Sequence, residues 1–315
     1  MRLDEIDGNA AQFGQLRVVD AHHHLWDLSR NQYPWLADPV PGTAEATITE
    51  HYAQYDVRAY LDDLWQIPVV ASIHVQAEWD SASPVAETRW LHEVYTDTGW
   101  PTAVVGAVHL ESPDAREILL GHSRYPAVRG VRDLLGWAPD EHMRAARSPH
   151  QMTDRAWRRG FALLEQFDLS FDLHVYPSQM REAAELARAF PRTPIILNHC
   201  GSPDEIGPDQ TTWRDGLQML ADCSNVSVKL SGISHTNRSI EQIQEYIVEV
   251  LDVFGCDRAM FGSNLPIEHI GGSLNMFVSA FEVAMSERTD NERDSVWGQT
   301  AARVYRLGST KGAIA

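Results

Sequence analysis

The segment 16–24 reads LRVVDAHHH and joins a short apolar run to three consecutive histidines. Its first part, 16–22, is continuous and rich in β-branched residues, which is typical of a strand covered on both faces. No GxGxxG turn follows it, which argues against the open doubly wound sheet of dinucleotide-binding proteins. The segment therefore predicts a buried parallel strand that ends in polar residues.

Seven more runs of this kind follow, and a helical stretch lies after each. The predicted strands are 16–22, 68–76, 103–109, 127–132, 170–175, 194–199, 225–231 and 258–263. Regular alternation of strands and helices implies parallel strands joined by right-handed crossovers. Eight such units predict a (β/α)8 TIM barrel, a fold that commonly reaches this length as one domain. We expect residues 1–315 to form this single domain, with the barrel core at about 16–290 and an extra C-terminal helix at about 290–307.

Helical periodicity is clearest in the segment 239–254, where Ser239 begins a capping-box pattern. Apolar residues recur on one face of this segment, as expected of a helix that packs against a sheet. Two further helices are predicted at 154–167 and at 178–190, the latter with Ser178 as its N-cap residue.

The composition limits the partners of the chain. Of its 315 residues, 43% are apolar and 22% are charged, and the formal net charge is −18. Nucleic acids and anionic membrane surfaces are not expected as partners, because both require a positively charged face. A small-molecule substrate is expected instead, and even an anionic one could be held by a local cluster of arginines.

The cysteines and the N-terminal segment indicate the compartment. Cys200, Cys223 and Cys256 are widely spaced and form no disulfide framework. The N-terminal segment lacks the apolar region of a signal peptide, and no run of about 18 apolar residues is present. We therefore expect a protein of the reducing cytoplasm.

Histidines collect at the carboxyl ends of the predicted strands, where barrel enzymes build their active sites. His22 and His24 are two residues apart on the first strand and share one side, for which the barrel mouth is the expected direction. Two imidazoles in that position can bind a divalent metal ion. Four more histidines lie at or near strand ends: His74, His109, His174 and His199. Their shared location predicts a histidine-rich site.

Six segments together resemble a known family. They are VVDAHHHLWDLSRNQYPWL (18–36), VRGVR (128–132), FDLHV (171–175), IILNHCGSP (195–203), VSVKLSG (226–232) and MFGSNLPIEHIGGS (260–273). In this order they resemble the amidohydrolase-related (amidohydrolase 2) family, in the branch that contains sugar-acid and dicarboxylate lactonases. The resemblance implies a (β/α)8 barrel that hydrolyses an ester or a lactone ring, with decarboxylases and isomerases among its relatives.

The resemblance also implies the composition of the site. In that family the HxH pair, a histidine on strand five, a histidine on strand six and an aspartate on strand eight surround a metal ion. Here the first four positions are filled by His22, His24, His174 and His199. The fifth is Asn264, because the chain reads FGSNLP where many members read FGSDxP. Asparagine can ligate through its carbonyl oxygen but cannot act as a general base, so Glu268 or His269 is predicted to take that role.

The need for a metal stays open at this point. One weakly or moderately held ion, Zn²⁺ or Mn²⁺, on His22, His24 and His174 would activate water and polarise a carbonyl group. Without an ion, paired imidazoles would perform the acid–base chemistry directly. Arg132 lies near the position of the lysine that bridges two metals in binuclear relatives, so two ions are not expected.

Four polar residues are predicted to contact the substrate. Arg132, at the end of the fourth strand, would clamp a carboxylate, unless it forms a surface ion pair. Lys229 lies within an apolar strand, where a lysine is costly to bury unless it pairs with a group such as Glu78 or binds a substrate oxygen. Gln76 and Glu78 form a candidate wall, with Glu78 as a candidate proton donor.

Two long excursions follow strand ends, at 25–54 and at 133–153. The first contains Trp26, Tyr33 and Trp35, which either wall the substrate pocket or pack the excursion onto the barrel. The second either covers the mouth or meets a second subunit, so a homo-oligomer is one arrangement that the sequence allows.

Three functions are compatible with these residues. The preferred one is a hydrolase that opens a lactone or similar cyclic ester of a small carboxylated or sugar-acid substrate. The alternative is a metal-dependent decarboxylase or lactone isomerase, which Asn264 favours because non-hydrolytic chemistry needs no water-activating base. The third is a barrel that binds a ligand without catalysis, and the four strand-end histidines argue against it.

Overall fold

Eight parallel strands run through the chain in sequence order. The computed structural model describes residues 17–203, 210–234, 238–270 and 272–308. The strands are β1 Val18–His23, β2 Val69–Val75, β3 Ala103–Ala107, β4 Val128–Leu134, β5 Ser170–His174, β6 Ile195–Leu197, β7 Val226–Leu230 and β8 Ala259–Phe261. The predicted (β/α)8 TIM barrel and its eight strands are confirmed. Residues 1–16, on which the signal-peptide expectation rests, and 309–315 lie outside the described residues.

The barrel closes through the segment that follows β8. The backbone N–H of Asn264 donates to the carbonyl oxygen of His22 at 2.7 Å, and the N–H of His24 donates to that of Leu265 at 2.8 Å. His23 and Leu265 form a parallel bridge between these bonds. The end of β1 is therefore joined directly to the loop that carries Asn264.

Helices follow the strands along the chain. They are α1 Pro34–Ala37, α2 Ala44–His51, α3 Val57–Asp63, α4 Ala86–Thr98, α5 Ala115–His122, α6 Arg155–Phe161, α7 Leu163–Gln166, α8 Met180–Ala189, α9 Thr211–Ala221, α10 Ile240–Phe254, α11 Leu274–Met285, α12 Asp290–Asp294 and α13 Thr300–Val304. None of the helices that the structure describes combines the length and the apolar character that a membrane span requires.

The predicted helices differ in how well their ends were placed. The capping box of Ser239 at the start of α10 is confirmed. Ser178 is not an N-cap, because it lies inside the 3₁₀ turn Pro177–Gln179 that precedes α8. The helix predicted at 154–167 is divided at Ala162 into α6 and α7.

Side chains of the C-terminal segment fill one end of the barrel interior. The helix predicted at 290–307 is divided into α12, a π-helical turn Ser295–Gln299, and α13. Ala301 and Tyr305 pack with the interior strand residues Val19 and Met260. Tyr305 is fully buried, so this end of the interior is filled by side chains.

A β-bulge near the end of β1 sets the direction of its histidines. The register advances by three residues in β1, from Asp20 to His23, but by only two in β2. Ala21 packs in the barrel interior, and in an unbroken strand His23 would share that side. The extra residue shifts the alternation, so His24 lines the barrel mouth while His23 lies 2.9 Å from Ser72 Oγ.

Candidate active site

A cavity of about 300 Å³ lies at the carboxyl ends of the barrel strands. Predicted site residues that line it are His24, Trp26, Glu78, Arg132, His174, His199 and Asn264. The other predicted site residues are buried outside this lining: His22, Gln76, Lys229 and Glu268. The cavity occupies the end of the barrel where enzymes of this fold place their chemistry.

Four imidazole rings form a continuous group beside the cavity. The ring centroid of His22 lies 5.1 Å from that of His24 and 4.5 Å from that of His199. The centroid of His199 lies 5.8 Å from that of His174. His22 is fully buried, yet neither of its ring nitrogens has a hydrogen-bond partner within the described residues. Burying polar atoms in this way costs free energy, so these nitrogens are suited to an ion, a water molecule or a substrate.

The neighbouring rings are held by hydrogen bonds at one nitrogen. Nδ1 of His24 lies 2.8 Å from the carbonyl oxygen of Val75, which selects the tautomer that donates from Nδ1 and leaves a lone pair on Nε2. Nδ1 of His199 lies 3.0 Å from Ser231 Oγ. Such contacts fix the ring orientation that a metal ligand or a base needs.

Burial keeps the rings of His22, His24 and His174 neutral. It lowers the pKa of His22 and of His24 well below 6.5, and the positive charges of Lys229 and Arg132 lower both further. Burial, assisted by the charge of Arg132, lowers the pKa of His174 to about 4. At neutral pH these three imidazoles therefore offer lone pairs, as metal ligands must.

The donor set for a metal ion centres on two histidines. No three His, Cys, Asp or Glu side chains among the described residues are placed around a common ion. The ion on His22, His24 and His174 therefore stays a prediction. The donors that fit are the neutral nitrogens of the HxH pair and the carbonyl oxygen of Asn264, which brings no negative charge to offset a dication.

Glu268 holds Asn264 in place. Asn264 Nδ2 donates to one Glu268 oxygen at 3.3 Å, which directs Oδ1 away from that carboxylate. The other Glu268 oxygen accepts the Ser234 N–H at 2.9 Å and also the Ser234 hydroxyl. Glu268 is fully buried and lies outside the cavity lining, where it holds the Asn264 amide, and its role as a base stays a prediction. His269, the other predicted base, has its Nε2 2.8 Å from Asp63.

We expect Asn264→Asp to destabilise the protein, because it sets a second carboxylate against that of Glu268. The free energy of unfolding in urea should fall by about 1–3 kcal/mol at neutral pH, the scale of a lost buried hydrogen bond. Adding Glu268→Gln restores an amide–carboxylate pair in the reverse sense and should recover most of this loss. A double variant no more stable than Asn264→Asp would show that the two side chains are not coupled.

Arg132 presents its guanidinium to the cavity. The residue is 6% exposed and lines the cavity, so the surface ion pair considered from the sequence is wrong. Its Nη2 donates to the carbonyl oxygen of Gln76 at 2.5 Å, and its Nε has no partner within the described residues. A buried donor without a partner beside a cavity suits an anionic or strongly polar ligand atom.

Gln76 directly precedes Ala77 and Glu78, which form one wall of the cavity. Its Oε1 accepts the backbone N–H of Glu78 at 2.6 Å, and its side chain is outside the cavity lining. Gln76 thus holds the peptide of Glu78, and its contact with a substrate stays a prediction. Glu78 adopts a φ of 62° and lines the cavity, where it is exposed to solvent.

Lys229 is paired inside the barrel. Its ammonium binds the carboxylate of Asp172, and both side chains are fully buried. Asp172 also accepts the Tyr305 hydroxyl at 2.9 Å and the Asn198 amide at 3.0 Å. The suggested partner Glu78 is therefore wrong. Lys229 lies outside the cavity lining, and its contact with a substrate stays a prediction.

The tryptophans of the 25–54 excursion perform both roles considered for them. Trp26 and Trp35 line the cavity. The ring of Trp26 stacks on that of His24 with centroids 6.3 Å apart, and its Nε1 donates to the carbonyl oxygen of Tyr52 at 2.6 Å. Trp35 Nε1 donates to the carbonyl oxygen of Ala77 at 2.9 Å. The excursion is thereby fixed to the barrel by the same side chains that wall the cavity.

Two of the histidines predicted at strand ends lie elsewhere. His109 Nδ1 is 3.3 Å from Asp133, and His74 Nε2 is 3.3 Å from the carbonyl oxygen of Leu25. Burial lowers the pKa of His74 to about 3. The imidazoles of the cavity region therefore come from β1, β5 and the segment after β6.

Asp20 is the site residue that sequence reasoning missed. It is fully buried and accepts the N–H of His22 at 3.1 Å and the hydroxyl of Tyr60 at 2.8 Å. It also accepts the N–H and hydroxyl of Ser263 at 2.8 and 2.7 Å. Asp20 thus holds the HxH strand against the loop of Asn264. An aspartate in an apolar strand two residues before an HxH pair was the available signal.

Known proteins resemble this chain over almost its full length. An uncharacterized protein of Sinorhizobium fredii is 35% identical over 295 residues, which cover 93% of this chain and 99% of that one. An L-fucono-1,5-lactonase of Burkholderia multivorans is 30% identical over 309 residues, covering 93% of this chain and 97% of the lactonase.

Solved structures show the same architecture. A crystal structure of a zinc-bound amidohydrolase from Burkholderia multivorans superposes with a TM-score of 0.77 at 27% identity, covering 92% of this chain and 99% of that chain. The family model for amidohydrolases matches residues 19–307, which include all eight strands and the cavity. The chain therefore belongs to the amidohydrolase family.

Proposed function

We propose that this protein is a hydrolase that opens a lactone or similar cyclic ester of a small sugar-acid or carboxylated substrate. The observation that carries the proposal is the group of neutral imidazoles at a cavity that also presents the buried guanidinium of Arg132. The similarity to an L-fucono-1,5-lactonase supports a lactone as the substrate class.

Lactone hydrolysis adds water to the carbonyl carbon, breaks the ring C–O bond and protonates the departing alkoxide. We assign the proton of the attacking water to His199, which lines the cavity and is oriented at Nδ1 by Ser231. Glu78 is the proposed donor to the alkoxide, because its carboxyl group lines the cavity. The product hydroxy acid then leaves as its carboxylate, and its proton is released to solvent.

A divalent ion is part of this proposal, with Zn²⁺ or Mn²⁺ as candidates. Bound by His22 and His24, it would polarise the carbonyl group and lower the pKa of water. The bound zinc of the similar Burkholderia multivorans structure supports this assignment. We also propose that the protein acts in the cytoplasm on a small molecule; whether it forms a homo-oligomer stays a prediction.

The proposal is tested with a panel of neutral and carboxylated sugar lactones and a pH indicator that reports acid release. We expect turnover on at least one lactone, with metal content measured on the same sample and activity compared before and after chelation. Release of carbon dioxide from carboxylated substrates without lactone turnover would instead mark the decarboxylase, which the neutral Asn264 favours. Undiminished turnover after complete metal removal would rule out the ion.

Replacing Arg132 by alanine should separate the two substrate classes. A lost hydrogen bond to a charged group is worth about 1.5–3 kcal/mol, so KM for a carboxylated lactone should rise about 10- to 100-fold. A neutral lactone of the same ring size should change only a few-fold, because it offers no carboxylate to the guanidinium. Equal effects on both lactones would remove Arg132 from the role of carboxylate clamp.

A further inference from the structure

Glu87 lies directly behind one wall of the cavity. It belongs to the first turn of α4 and is 2% exposed. Its Oε1 accepts the backbone N–H of Ala77 at 3.0 Å and the hydroxyl of Tyr33 at 3.2 Å. One buried carboxyl group therefore joins the peptide after β2 to the 25–54 excursion.

The peptide that Glu87 holds also carries contacts to the cavity residues. The carbonyl oxygen of Ala77 accepts the indole N–H of Trp35 at 2.9 Å. The preceding carbonyl oxygen accepts Arg132 Nη2 at 2.5 Å, and the next residue is Glu78. A change at Glu87 therefore reaches three side chains that line the cavity.

We propose that Glu87 is a positioning residue, whose protonation state sets how firmly the peptide of Ala77 and the excursion of Tyr33 are held together. As a carboxylate it accepts two charge-assisted hydrogen bonds, which are about twice as strong as neutral ones. As a carboxylic acid it keeps both bonds in weaker form, and the wall loosens. The role of Glu87 in turnover rests on the proposed function, but its hold on the wall does not.

The surroundings of Glu87 raise its pKa into the neutral range. Burial raises the pKa of Glu87 to about 7, against the hydrogen bonds from Ala77 and Tyr33 and the charge of Arg132. The carboxylate of Glu78 adds to the rise. Tyr33 has a pKa well above 10, because of burial and the nearby Glu87, so it stays a donor throughout this range.

The sign of the linked stability follows from this rise. The folded state keeps the proton of Glu87 to higher pH than the unfolded chain does. Its contribution to stability is therefore fully present below the usual glutamate range of about 4.5 and is lost as the pH rises through about 7. Above about pH 7 the Glu87 carboxylate therefore makes its strongest hydrogen bonds to the wall, although its burial no longer adds to the free energy of unfolding.

The experiment follows the indole N–H of Trp35 by NMR between about pH 5 and pH 9, with Trp35→Phe to assign the signal. We expect a titration with a midpoint near 7 that vanishes in Glu87→Gln. It should persist in Glu78→Gln, and in the matched control Glu93→Gln on the exposed face of α4. A signal that does not titrate, or that titrates equally in Glu87→Gln, would overturn the proposal.

Turnover gives a second readout. With a lactone from the panel, KM should change about fivefold between pH 6 and pH 8 in the wild type and less than about twofold in Glu87→Gln. The kcat of the two proteins should depend on pH in nearly the same way. A merely structural role would lower the amount of active protein without altering this pH profile. If no lactone is turned over, the proposed function fails while the NMR titration still decides the role of Glu87.

Discussion

We expect His22→Ala to lower kcat/KM for lactone hydrolysis by about 10²–10⁴, the range typical of a lost acid–base or metal-binding group. His22 is fully buried, and neither ring nitrogen has a partner within the described residues. Its ring lies between those of His24 and His199, so its removal breaks the imidazole group at the centre. The loss should appear in kcat/KM measured on protein whose folded fraction is known from circular dichroism.

His23→Asn is the matched control on the same strand. The bulge turns His23 away from the cavity, towards Ser72 Oγ at 2.9 Å and the stacked ring of Tyr60. We expect it to alter stability but to leave kcat/KM of the folded protein within a few-fold of the wild type. If His23→Asn loses as much activity as His22→Ala, the bulge does not keep His23 out of the site.

Lys229→Met should lower the free energy of unfolding by about 3–5 kcal/mol, because it leaves Asp172 buried without its cation. Both side chains are fully buried in the barrel interior. The double variant Asp172→Asn/Lys229→Met removes both charges and should recover much of the loss, since a neutral replacement needs no desolvated charge. Urea denaturation of Lys229→Met, of the single variant Asp172→Asn and of the double variant measures the coupling.

The same variants test what Lys229 does. Because the Lys229 ammonium is paired with Asp172, the folded fraction of the double variant should keep a KM close to that of the wild type. A KM that rises at least tenfold in the double variant would return Lys229 to the role of substrate ligand. Losses in both single variants below about 1 kcal/mol would contradict a strong buried pair.

The sequence was informative where local pattern decides structure. Short, continuous and mostly β-branched apolar runs predict most of the barrel strands, because such runs suit strands that are covered on both faces. The capping box of Ser239 predicted the start of α10 for an equally local reason. Ser178 misled, because Pro177 begins a 3₁₀ turn and delays the helix to Met180.

Partners distant in sequence could not be predicted. Lys229 and Asp172 are 57 residues apart, and only the closed barrel brings them together. Asp20 and Ser263 are 243 residues apart and meet where the barrel closes. The bulge in β1 depends on its register with β2, which no pattern within β1 discloses.

Asn264 shows how such a contact changes the meaning of a motif. From the sequence it is an aspartate position that has lost its acid, and Glu268 is a nearby replacement. In the fold the two side chains are one unit, because the Glu268 carboxylate accepts the Asn264 amide. The amide at this position thus has a structural partner, which the sequence pattern alone does not show.

The most direct test of water attack at this cavity is turnover in water enriched in the heavy oxygen isotope, with mass spectrometry of the product. For a lactone from the panel, the wild type should place one heavy oxygen in the carboxylate of the product acid, and His22→Ala should form this product about 10²–10⁴ times more slowly. An unlabelled product, loss of carbon dioxide, or no lactone opened by the wild type would contradict a lactone hydrolase.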